Sequence, residues 1–85
     1  LYDAQIDLHG MTEAGAHPVL MDFVQRQRAR GALRLLVITG KGSGASKNSV
    51  LRANVPRWLD VEPFASFITA VEPAPAVLGS EGAFI

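Results

Sequence analysis

The 85-residue sequence contains no cysteine. Disulfides, thiolate nucleophiles and cysteine zinc sites are excluded together. A cysteine-free chain fits a reducing cytosol, so the expected location is cytoplasmic. Histidine is scarce as well: His9 and His17 are the whole supply, too few for an all-imidazole metal site. No apolar run approaches the roughly 18 residues that a membrane-spanning helix needs. The N-terminus lacks the basic-then-apolar stretch of a secretory signal. The chain opens on Leu1 rather than Met and reads as an excerpt of something longer. Any catalysis must use hydroxyls, carboxylates, imidazoles, Lys/Arg and backbone amides.

What is present is an ordinary globular balance, with 48% hydrophobic and 19% charged residues. The length suits one domain, 1–85, with one modest core. Net charge is zero, from 8 basic and 8 acidic residues. Their distribution is lopsided. Every basic residue lies between Arg26 and Arg57, and no Asp or Glu falls in that window. Such asymmetry hints at a polyanion-binding face. The bland alternative is that the charges cancel in three dimensions.

Ala4 to His9 alternates apolar and polar, the period of a half-buried strand, and Gly10 ends it. Thr12 suits a helix N-cap. Ala16, Leu20, Phe23 and Val24 mark one helical face, and Gly31 suits the stop. Pro18 predicts a bend, or a helix that begins nearer His17. Leu35-Leu36-Val37-Ile38, within Leu33 to Thr39, suits a strand buried on both faces. A Gly/Ser-rich loop follows, then a second helix with Ser46, Asn48 or Ser49 as candidate caps. Its stripe is Leu51, Val55, Trp58 and Leu59, and Pro56 predicts a bend or an early end. Phe64 to Val71 reads as a third strand and Glu72 to Gly82 as a loop. Gly82 to Ile85 reads as a fourth strand, truncated. The fold class is therefore α/β: a two-layer β-α-β-α-β-β sandwich with a mixed sheet and both helices on one face.

Two motifs could carry chemistry. In Asp7-Leu8-His9-Gly10, alternation puts Asp7 and His9 on one face while Leu8 points inward. A carboxylate beside an imidazole can make a general base, or supply two ligands to a metal. The bland reading is an Asp that accepts backbone N–H groups in a turn. Gly40-Lys41-Gly42-Ser43-Gly44 follows a buried strand and precedes a helix, where open α/β sheets bind ligands. Its amides and Lys41 could cradle phosphate. It lacks the Walker spacing. Gly40, Gly42 and Ala45 nominally match a dinucleotide fingerprint, but Asp60 and Glu62 precede the next strand, where the ribose-binding acid should end it. A plain turn is the bland reading. If the first two strands are parallel, Asp7, His9 and Gly40–Gly44 meet at one rim.

Asp7-Leu8-His9-Gly10 paired with Thr39-Gly40-Lys41-Gly42 resembles the Smr (small MutS-related) domain family. The resemblance extends through Val55-Pro56-Arg57-Trp58-Leu59 and Gly82-Ala83-Phe84. Departures are Pro18, the loop Leu78-Gly79-Ser80-Glu81 and the truncated last strand. The resemblance implies a fold similar to the C-terminal domain of translation initiation factor three. It also implies DNA or RNA binding, with endonuclease activity in many members. The candidate catalytic residues are Asp7, His9 and Lys41. The candidate nucleic-acid-binding residues are Gly40, Lys41, Gly42, Ser43, Gly44, Lys47 and Arg52. His9 would move the proton, oriented by Asp7, with Lys41 stabilising phosphate charge. Arg26, Arg28, Arg30 and Arg57 would help guide the backbone. A divalent metal such as Mg or Mn is left open. Trp58 is expected in the core rather than stacked on a base. The expected form is a monomer with nucleic acid as partner, ribosome association being one option. Rival readings are a binding-only module docking on RNA, ribosome or protein, and a small-ligand domain holding a nucleotide or phosphate in its glycine loop.

Overall fold

The computed structural model describes residues 2–40, 47–66 and 68–72, with only the backbone for 47–49. Strand β1 is Ala4–Asp7, helix α1 is Glu13–Ala29, strand β2 is Leu35–Ile38 and helix α2 is Lys47–Leu59. A short 3-10 helix, Phe64–Ser66, follows. The strands pair in parallel, with Ala4 opposite Leu35 and Asp7 opposite Ile38. They form a two-stranded sheet among the described residues.

Burial shows why the layers stack. Leu35 and Val37 share one core with Leu8, with Ala16, Leu20 and Val24 of α1, and with Leu51, Val55 and Leu59 of α2. Ala4 and Ile6 pack against it half-buried. Residues two apart on a strand share a face, so both helices cover the same side of the sheet. Each fully buried Leu contributes about 1.5–3 kcal/mol to that choice.

Thr12 caps α1, its hydroxyl accepting from the Gly15 N–H at 3.2 Å. The helix therefore starts at Glu13 and not near His17. Pro18 sits exposed as its sixth residue and ends nothing. Buried Ala16 and Leu20 on either side hold the turn that lacks one hydrogen bond. Pro56 is likewise inside α2, which runs on to Leu59. Because α2 starts at Lys47, Asn48 and Ser49 lie within it rather than at its N-cap position. Ser46 lies outside the described residues. At the end of α1, the Gly31 N–H reaches Arg28 O at 3.0 Å and the Ala32 N–H reaches Gln27 O at 3.0 Å. That is a Schellman stop, with Gly31 at φ +81°.

The third strand expected over Phe64 to Val71 is corrected. Val61 O accepts from both Phe64 and Ala65 N–H, and the Ser66 hydroxyl donates to Pro63 O at 2.8 Å. These local bonds wind Phe64–Ser66 into a 3-10 turn and drive the Phe64 ring into the core. Only Ala70, an isolated bridge residue, is strand-like within the described part of that span. Most of the loop expected from Glu72 to Gly82, and the strand expected over Gly82 to Ile85, lie outside the described residues.

Asp3 fastens the far end of the sheet. Its Oδ2 accepts from Leu33 N–H at 2.7 Å and Arg34 N–H at 3.0 Å. These two backbone bonds, Arg34 first, hold its carboxyl below the usual 3.8. A depressed folded value means that the stabilisation is full above 3.8 and disappears as pH falls through the folded value. Asp3→Ala should lower the melting temperature near neutral pH and flatten its acid decline. A melting series from about pH 7 to pH 2 checks this, and parallel curves for parent and variant would refute it.

Candidate active site at the carboxyl rim

Parallel pairing brings the carboxyl ends of β1 and β2 to one edge. The Leu8 N–H donates to Ile38 O at 2.7 Å, so the ladder runs one residue past β1. The chain then turns. The Met11 N–H returns to Leu8 O at 3.1 Å, with Gly10 at φ +77°. A turn of this kind needs a positive φ at its third position, which glycine supplies without a Cβ clash.

His9 is thus in a turn rather than on the strand, contrary to the expected span Ala4 to His9. The pairing with Asp7 survives by another route. Asp7 Oδ1 accepts from the His9 backbone N–H at 3.0 Å and lies 2.7 Å from His9 Nδ1. The first bond is the Asx turn of the bland reading, and the second is the carboxylate–imidazole pair of the chemical one. One oxygen does both. These bonds, the backbone one first, hold the Asp7 carboxyl below its ordinary value. An ionised carboxylate only accepts, so the facing Nδ1 carries the proton and Nε2 is the nitrogen with a free lone pair. The pair stands in solvent, with 67% of the His9 side chain and 48% of the Asp7 side chain accessible. Leu8 between them is fully buried.

Gly40 lies at the same rim, directly after buried Thr39. Lys41, Gly42, Ser43 and Gly44 lie outside the described residues. Lys47 opens α2 and Arg52 is exposed on it. Two contacts set the level of α2. The Asn54 side-chain amide donates to Glu13 Oε1. The rings of His17 and Trp58 meet edge to face, 4.9 Å apart at 89°. Both pairs are 41 positions apart in sequence, so the helices run in the same direction. Glu13 opens α1, whereas Asn54 is the eighth residue of α2. About two turns of α2, roughly 10 Å and including Arg52, therefore extend past that level on the rim side.

The basic window does not fold into one patch. Arg26, Arg28 and Arg30 end α1 and Arg34 precedes β2, roughly 20 Å from the rim along the helix. Arg26 is paired with Asp22 at 2.7 Å, and the Arg34 guanidinium sits over Tyr2, 5.5 Å from its ring centre. Asp3 shares that end. His9, at the rim, is out of reach of these arginines. Trp58 is half-buried against the core, as expected.

Among the described residues no three His, Asp or Glu side chains gather as a metal site. Asp7 and His9 offer two donors, already bonded to each other. Mg²⁺ is commonly held by one or two carboxylates together with water and substrate phosphate. The described donors do not make a resident Mg²⁺ or Mn²⁺ site. No helix among the described residues is long and apolar enough to cross a membrane.

A family model described as "Smr domain" matches residues 6–85. The chain belongs to the Smr family. Both tetrapeptides, Asp7–Gly10 and Thr39–Gly42, fall within the matched span. The Smr family is linked to nucleic-acid binding and nuclease activity. An uncharacterized protein of Treponema pallidum (strain Nichols) is 35% identical over 63 residues, which is 74% of this chain and 31% of that protein. This Smr domain therefore spans about a third of the length of that curated relative. No solved structure matches it. One rim residue, Thr39, opens the second tetrapeptide but was not among the candidate site residues, and the structure buries it at the end of β2.

Proposed function

We propose that this Smr domain binds nucleic acid across the carboxyl rim and cleaves its phosphodiester backbone, RNA being the favoured substrate. The observation that carries the reading is the solvent-facing Asp7–His9 pair, with Asp7 Oδ1 at 2.7 Å from Nδ1. His9 Nε2 takes the proton of a 2′-hydroxyl, and the resulting alkoxide attacks the adjacent phosphorus. The P–O5′ bond breaks and the 5′-oxygen takes a proton from water while the imidazolium returns its own to solvent, giving a 2′,3′-cyclic phosphate and a 5′-hydroxyl. Asp7 holds the tautomer and stabilises the imidazolium as it forms. DNA lacks that hydroxyl, so water must attack instead. Lys41 and the amides of Gly40, Gly42, Ser43 and Gly44 stabilise charge on the phosphate oxygens. Lys47 and Arg52, on the overhanging part of α2, contact flanking phosphates. The reading includes a cytoplasmic monomer and a completed sheet similar to the C-terminal domain of translation initiation factor three.

A non-catalytic docking module on RNA, ribosome or protein is the second reading. It is favoured by the bond from the His9 backbone N–H to Asp7, which gives the carboxylate a structural task.

The test incubates the domain with labelled single- and double-stranded DNA and RNA, with and without chelator. RNA cleavage insensitive to chelator is expected. Lys41→Glu with Arg52→Glu should flatten the salt dependence of affinity by about one unit of slope per lost phosphate contact. Binding without cleavage selects the docking module. No binding to any of the four nucleic acids sinks both nucleic-acid readings.

A further inference from the structure

Two side-chain contacts cross the seam between the helices. Nearer the rim, the Asn54 amide donates to Glu13 Oε1. One helical turn further from it, the rings of His17 and Trp58 meet edge to face. The grip of α2 on the domain comes from neither. It comes from Leu51, Val55 and Leu59, all buried. Apolar burial is non-directional, so that stripe holds α2 firmly without choosing sharply where along α1 it stands. A hydrogen bond is directional and makes that choice. Glu13 is exposed, where water competes for the same groups, so the bond adds little to stability.

Each end of this bond leads to one part of the rim. Glu13 is the first residue of α1 and lies four positions after His9. The chain between them is tied down by the Met11 N–H on Leu8 O and by the Thr12 hydroxyl under Gly15 N–H. Asn54 follows Arg52 by two positions and Lys47 by seven, on one continuous helix. The bond therefore joins the turn that holds the Asp7–His9 pair to the helix that carries Lys47 and Arg52.

We propose that Asn54 is a positioning residue. Through Glu13 it fixes the offset between His9 and the first turns of α2, and so the spacing between the scissile phosphate and the flanking phosphates that α2 contacts. This rests on the reading of the rim as a nucleic-acid site. Asn54 itself touches no substrate. Without the bond the offset spreads over a range, and only a fraction of the domains matches the phosphate spacing at any moment. Apparent affinity falls by that fraction, whereas RNA at saturation selects the matching domains.

The test compares Asn54→Ala, Asn54→Asp and the double variant Glu13→Gln with Asn54→Asp. Asn54→Ala removes the bond without adding charge. Asn54→Asp sets two carboxylates against each other. The double variant has the parent's net charge and reverses the donation, the new glutamine amide giving its proton to the new aspartate. Affinity of Asn54→Ala for a short single-stranded RNA at fixed salt should fall about threefold to tenfold, the size of one side-chain hydrogen bond. Asn54→Asp should lose at least as much, and the double variant should return to the parent value. Single-turnover cleavage at saturating RNA should stay at the parent rate throughout. Asn54→Ala that binds like the parent overturns the proposal, and so does a double variant as weak as Asn54→Asp. Saturating rate and melting temperature that fall together show a merely structural contact, and overturn it too. If the parent binds no RNA, the rim reading fails. Backbone amide shifts of Arg52 in the free variants then decide the clasp: unmoved by Asn54→Ala, they show that the bond does not set α2.

Discussion

His9→Ala is expected to remove RNA cleavage and leave affinity nearly unchanged. A positioned proton-transfer group typically supplies 10²–10⁴-fold in rate, roughly 3–5 kcal/mol of barrier. A rate loss of this size is readable because the side chain carries little of the fold. Two thirds of the imidazole is in solvent. The backbone N–H of residue 9 still donates to Asp7 after the ring is gone, so the turn is kept. Asp7→Asn should cost less than His9→Ala if Asp7 only orients the ring. Single-turnover cleavage and a binding titration on the same samples separate the two effects. A His9→Ala protein that cuts as fast as its parent makes His9 a turn residue and the domain a docking module.

Leu8→Ala should do the opposite: spare the chemical groups and undo their support. Leu8 is fully buried in the core that joins both helices to the sheet. Truncating a buried Leu costs about 2–5 kcal/mol, depending on how far the cavity collapses. A chain of this length has roughly 4–13 kcal/mol in total. The variant should therefore melt at least ~10 °C lower, and lose cleavage along with its folded signal. Denaturant unfolding monitored by circular dichroism measures the loss. A loss below about 1 kcal/mol, the scale of a surface change, would contradict the burial of this residue.

The contrast between neighbours shows what a sequence can display. Asp7, Leu8 and His9 were legible because alternation alone separates the exposed pair from the buried Leu. The helices were legible from their apolar stripes, and α1 also from Thr12 and Gly31, which act at its two ends as expected. The Phe64 segment was not legible. Its apolar content suits a strand, yet its hydrogen bonds fold back on Val61 and Pro63, and periodicity carries no information about where a backbone N–H finds its partner. Asp3 was missed for a related reason: its partners are about thirty residues away in sequence. The basic window misled because proximity in sequence is not proximity in space. A helix the length of α1 carries Arg26, Arg28 and Arg30 to the opposite end of the sheet. The site was legible as far as local spacing defines it, and the burial of Thr39 was hidden because it is a property of three-dimensional packing.

The edge-to-face pair of His17 and Trp58 gives the domain a built-in optical gauge. Trp58 is the chain's one indole, and its ring meets the imidazole where α1 and α2 touch. Its emission therefore comes from a single known place, about one helical turn below the level where α2 begins to overhang the rim. No label has to be added to follow that seam. Any event that tilts α2 against α1 changes the distance between the fluorophore and the imidazole beside it.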